Sequence, residues 1–130
     1  MTTLTYGATT LTLPDDLPWT DEFSWPAVEQ RTEYSITGAL IVEASAKQSG
    51  RPITLTANEN RGWISRATLL TLKGWAALPA QAFTLAINGG TYVVAFDQAR
   101  GAIDAVTLLP QLTDTDAADE YIPTLRFIEV

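Results

Sequence analysis

Any chemistry in this chain has to come from carboxylates, hydroxyls, a few cations and aromatic rings, because its 130 residues include neither histidine nor cysteine. Without histidine the commonest general base, the imidazole metal ligand and the near-neutral pH switch are all missing. Without cysteine there are no disulfides, thiolate nucleophiles or cysteine-bound metals. Serine and threonine hydroxyls are plentiful, but a nucleophile needs a base beside it, and only Lys47 or Lys73 could serve. The adjacent pairs Asp15-Asp16 and Asp21-Glu22 have the residue types of a glycosidase acid and base. On a segment broken by prolines, such neighbours read better as turn formers. Asp114, Asp116, Asp119 and Glu120 loosely follow a calcium loop, yet no glycine stands at the sharp turn and no later glutamate at the bidentate position. They read as a solvated acidic loop. Asn88-Gly89-Gly90 precedes a strand pattern rather than a helix, so it is a turn and not a phosphate cradle. No catalytic residue, metal or cofactor is expected, and the chain does not read as an enzyme.

The aromatic rings are harder to set aside. Trp19, Phe23 and Trp25 lie close together between Pro18 and Pro26, on a segment that the two prolines keep from being regular. Two readings stand side by side. The rings could cap an open end of a β-structure, or they could form a contact surface, since rigid aromatics carry much of the energy of protein interfaces. Arg51, at the start of Gly50-Arg51-Pro52-Ile53-Thr54-Leu55, is similarly balanced. It could anchor its own turn to a carboxylate or bridge to a neighbouring subunit. Trp19, Phe23, Trp25 and Arg51 are therefore the candidate interface residues.

The elements that must position them are mostly strands. Thr3–Tyr6 and Thr9–Leu13 read as a hairpin, the second alternating Leu11 and Leu13 with threonines. Val28–Ser35 and Ala39–Ala44 pair about a turn near Thr37-Gly38, and Pro52–Ala57 forms a further strand. Ser65 caps a helix over Arg66–Leu78, with Leu69, Leu72 and Ala76 at helical spacing and Pro79 ending it. Phe83–Ile87 and Thr91–Phe96 flank Asn88-Gly89, the strongest short-range hairpin signal because both turn positions favour positive φ. Ala102–Leu109 is another strand. Tyr121–Val130 is a terminal strand whose Pro123 suggests a sheet edge. With no alternation of strands and helices, the pattern predicts a single mainly β domain over residues 1–130. Its fold class is an antiparallel β-sandwich or partly closed barrel with one flanking helix at about 65–78, and residues 1–27 form an irregular N-terminal segment with short strands that could serve as an interface arm.

Charge narrows the partners. Fifteen acidic against eight basic residues give a formal net charge of −7, and the cations are scattered along the chain. A phosphate backbone or an anionic membrane surface would be repelled, so neither specific nucleic-acid binding nor membrane insertion is expected. A folded chain of this mass would expose roughly 6,700 Å² and bury about two-thirds of its unfolded surface, enough for one core.

Read together, Gly50–Leu55, Gly62-Trp63-Ile64, the leucine-rich helix Leu69–Leu78, the hairpin around Asn88-Gly89 and Val93-Val94-Ala95-Phe96 form a string. It resembles small virion proteins of the tail module of long-tailed phages and prophages, especially the distal-tail and tail-tube proteins. The resemblance covers roughly residues 31–130, and Leu4–Trp25 lies outside it. It implies a tail-tube-like β-sandwich with one helix, assembled as a homo-oligomeric ring, commonly six-fold, around the tail channel. It implies a virion location after synthesis in the host cytoplasm, with other tail proteins (tube, hub and tape measure) as partners, and no catalytic residues. Tail tube, terminator and head-tail connector proteins share that expected fold. A small β-barrel module binding a ligand or peptide is the alternative of another class.

Overall fold

The computed structural model describes residues 2–107 and 119–130. A curled antiparallel sheet forms a half-barrel, with one helix laid against it, as the pattern predicts. The strands are β1 (Thr2–Tyr6), β2 (Thr9–Leu13), β3 (Val28–Tyr34), β4 (Leu40–Ala46), β5 (Pro52–Thr56), β6 (Ile64–Ser65), β7 (Phe83–Ile87), β8 (Gly90–Phe96), β9 (Ile103–Thr107) and β10 (Glu120–Glu129). The main sheet runs β2-β1-β7-β8-β10-β5, with β6 and β9 also paired to β10, while among the described residues β3 and β4 pair only with each other.

Alternation places the core. Ile53 and Leu55 of β5, Phe83, Leu85 and Ile87 of β7, Val94 and Phe96 of β8, and Leu125 and Phe127 of β10 all point inward and are buried. Across the sheet their rings form a continuous series. Trp75 stacks on Phe83 at 5.7 Å between centroids, Phe83 meets Phe96 edge-on at 5.1 Å, and Phe96 meets Phe127 at 4.9 Å. Trp75 comes from the helix α1 (Arg66–Ala76), whose Ser65 caps the N-terminus by accepting from Thr68 N–H. Of the helical face read from spacing, Leu72 is buried and Leu69, Trp75 and Ala76 are half-buried. Asn88 and Gly89 take φ values of 50° and 77°, the geometry their hairpin needs.

The terminal strand corrects an expectation. β10 is the centre of the sheet, not an edge: β9 and β8 pair along one side, β6 and β5 along the other. Pro123 is tolerated because of where it falls. Its carbonyl accepts from Ala57 N–H at 2.9 Å, in the gap where β5 has ended and β6 has not begun. A missing donor there leaves no ladder bond of β5 or β6 unmade. Leu108 and Leu109, predicted to continue β9, lie outside the described residues.

Gly62 closes the floor under the 57–63 loop with φ +83°, and a Cβ there would lie 2.9 Å from Ala57 Cβ and 3.0 Å from Leu17 Cδ1. Both neighbours are buried. Gly62→Ala is expected to cost about 1–3 kcal/mol through strain and overpacking, read as a lower urea midpoint at unchanged slope.

Candidate functional site

Residues 18–22 are fastened to the sheet rather than free. Thr56 N–H donates to Pro18 O at 3.0 Å and Thr20 N–H to Thr54 O at 3.1 Å, on either side of a Trp19–Leu55 bridge. This short stretch covers the outer edge of β5, which would otherwise present unpaired backbone groups. Asp21 holds the end of it. One carboxylate oxygen accepts from Thr54 N–H at 2.8 Å and from Trp19 Nε1–H at 2.9 Å.

Arg51 closes the clamp. Its guanidinium lies 4.8 Å from the centroid of Trp19 and 5.8 Å from that of Tyr92, and the two rings meet edge-on at 5.6 Å. Nη2 donates to the Glu22 carbonyl at 2.6 Å, and the Glu22 carboxylate accepts from Asn88 at 2.6 Å. A cation held between rings and partly desolvated is worth on the order of 1–2 kcal/mol. Sequence reasoning offered Arg51 a carboxylate partner; the structure gives it a carbonyl and two aromatic faces.

The four candidate interface residues therefore divide. Trp19 and Arg51 are turned inward and hold the segment in place. Trp25 is half-buried, with the Lys47 ammonium 4.9 Å from its centroid. Phe23 stands 93% exposed on the turn between them. Arg51→Ala is expected to lower stability by about 1–3 kcal/mol through loss of a charged hydrogen bond and the ring contacts, with Trp19 fluorescence moving to the red. Phe23→Ala should leave the urea midpoint within about 0.5 kcal/mol of wild type, as exposed positions do.

Beyond Trp25 the chain leaves the body as a two-stranded ribbon. β3 and β4 pair in register from Val28–Ala46 to Tyr34–Leu40, and every one of their residues is exposed. Alternation sorts them onto two faces. Val28, Tyr34, Leu40, Val42, Ala44 and Ala46 share one, with Gln30 and Thr32. Glu29, Arg31, Glu33 and Glu43 share the other, with Ile41 and Ser45. At the tip, Ser35 N–H donates to Ala39 O at 2.8 Å, and Gly38 takes φ +88°. Ile36 is wholly exposed there.

Comparison with known proteins finds nothing: no family model, curated protein or solved structure matches the chain.

The ribbon is the feature sequence reasoning did not single out. Its pairing is legible, but the same alternation marks the core strands, and what distinguishes it is that no covering layer lies on it among the described residues. A lone two-stranded ribbon is marginal in water, and one carrying an apolar face is stable when something covers that face.

An open concavity of about 340 Å³ lies on the ribbon, lined by Glu29, Arg31, Glu43, Ala44 and Ser45. A cleft of about 250 Å³ lies between the end of β2 and the start of α1, lined by Thr12, Leu13, Pro14, Trp63, Ile64, Ser65 and Thr68. Ligand pockets usually enclose roughly 300–1,000 Å³. Of the acidic loop, Asp114 and Asp116 lie outside the described residues. The Asp119 carbonyl accepts from Arg66 N–H at 2.8 Å, and Glu120 begins β10. Among the described residues no helix is long and apolar enough to cross a membrane.

Proposed function

We propose that this chain is a non-catalytic assembly protein of a phage tail, acting as one subunit of a ring at the tail tip, where the tube joins the hub. The observation that carries this reading is the β3–β4 ribbon, an arm of exposed residues with one mostly apolar and one charged face. An arm with no residue in the buried cluster of the described residues adds little to that core, and it fits a role in docking on a neighbour. The clamp of Asp21, Arg51 and Trp19 supports the same reading, because it fixes the segment from which the ribbon springs. The half-barrel with its single helix is consistent with the β-sandwich and flanking helix that the tail-protein resemblance implies, and tube, terminator or connector positions would use it equally.

The test is to label the particles themselves. Gold-tagged antibody raised against this chain, applied to particles from a producing lysate, is expected to mark one end of the tail in negative stain. Label confined to soluble material, with none on particles, would contradict a virion role. Label along the whole tail would favour the tube.

A further inference from the structure

We infer that the β3–β4 ribbon is a rigid arm on a two-legged hinge, pivoting about residues 23–26 on the way out and 48–49 on the way back. The ribbon's root carries this independently of the tail reading. On the outgoing leg the body's hold on the chain stops at Glu22, whose carbonyl accepts from Arg51 and whose carboxylate accepts from Asn88, both at 2.6 Å. On the returning leg it resumes at Gly50, whose N–H donates to Glu129 O at 2.8 Å, and at Arg51, whose carbonyl accepts from Glu129 N–H at 2.8 Å. The ribbon's own ladder closes at its base with Lys47 N–H on Ala27 O at 2.9 Å. Little lies between these holds. Ser24 bonds back to Asp21 O in a local turn, and among the described residues Gln48 and Ser49 make no hydrogen bond. Short stretches at the ends of elements are where a hinge absorbs its change of backbone angle.

Trp25 braces the two legs against each other. Unlike Trp19, it is not among the residues packed against the buried cluster. Its ring lies under the Lys47 ammonium, which is also 3.9 Å from Glu29 at the foot of β3. Beyond that brace the arm is held by its own ladder and by its tip, where Ser35 Oγ accepts from Ala39 N–H at 3.1 Å and meets Thr37 Oγ1 at 3.0 Å. Two legs side by side resist sideways bending and twist. They leave one soft direction, rotation about the line joining them, which tips the ribbon along the direction in which its two faces point. Seven residue pairs at about 3.3 Å each make an arm of about 20 Å, so a swing of roughly 20° carries the tip about 7 Å. The apolar face can thus be brought to a partner with no repacking of the core.

The chain has no cysteine, so nitroxide labels attach only where cysteines are introduced. Three pairs are read by double electron–electron resonance on the monomer fraction. Ile36→Cys with Thr84→Cys spans ribbon tip to body, Ile36→Cys with Ala44→Cys lies within the ribbon, and Ala67→Cys with Thr84→Cys lies within the body. All four positions are exposed, so the labelled proteins should keep the wild-type melting curve. The tip-to-body distance distribution should be at least about twice as broad as either of the others. Adding Trp25→Ala should broaden it further, with the melting curve unchanged. A tip-to-body distribution as narrow as the one within the body would mean the ribbon is fixed, and would overturn the hinge. An equally broad distribution within the ribbon would show an arm that frays instead of pivoting, and would overturn it too. So would a Trp25→Ala protein with no added breadth, because the legs would then not be braced there. Wild type staying monomeric at every concentration would sink the assembly reading and leave the hinge standing.

Discussion

Replacing Val28–Ala46 with a short glycine-serine link is expected to leave the body folded and to weaken self-association at least about 100-fold. The two halves of that statement have separate grounds. None of the ribbon residues belongs to the buried cluster, which is drawn from β1, β2, β5 to β8, β10, α1 and the Leu17, Ala57 and Ala102 positions. Nor, among the described residues, does any ladder pair join β3 or β4 to the main sheet. Among the described residues the ribbon's one ion pair with a residue outside it is the exposed contact of Glu29 with Lys47, so removing the ribbon should change the unfolding free energy by about 0.5–1 kcal/mol at most, and the melting curve should keep its cooperative form. Association should be lost because the shortened chain gives up the arm and its apolar face together. A shortened protein that fails to fold would mean that the ribbon is covered by its own body, and the account would need rebuilding from that contact.

Phe127→Ala should be the most damaging single truncation for stability, at about 3–5 kcal/mol. Phe127 is fully buried and lies against Phe96 at 4.9 Å between centroids. Its backbone faces Ile53 of β5 and Phe96 of β8, so the residue sits where three strands meet. A void there loosens both neighbours at once, and the surrounding alternation of β10 leaves no mobile side chain to refill it. Urea unfolding with the midpoint converted at constant slope measures the loss. A cost below about 1 kcal/mol would return β10 to the sheet edge, the position that Pro123 suggests when the sequence is read alone.

Pro123 shows where the sequence misleads. Proline predicts an edge because it lacks a donor, but the rule concerns one hydrogen bond, not a whole strand. Here that bond falls in the gap between β5 and β6, and nothing in the local pattern reveals that two strands will share one side of β10. Features fixed by neighbouring residues were legible: the Asn88-Gly89 turn, the Ser65 cap, and the alternation of β7 and β8. Features that depend on distant partners were not. Trp19 and Arg51 each read in the sequence as either a local anchor or a contact surface, and the two residues, 32 positions apart, meet in a clamp within the chain. Asp21 looked like half of an acidic turn, and it proves to be the acceptor that ties Trp19 to β5. The ribbon's strands were read correctly as a pair, yet its exposure could not be, because exposure records which elements fail to cover it.

All of this converges on the mass of the wild-type particle in solution. Light scattering after size exclusion, over loading concentrations rising to about 1 mM, reads it without labels. The account predicts a species whose mass is a whole multiple of 14.1 kDa, growing in with concentration and absent from the ribbonless chain. A wild-type protein that stays at 14.1 kDa at every concentration would contradict it.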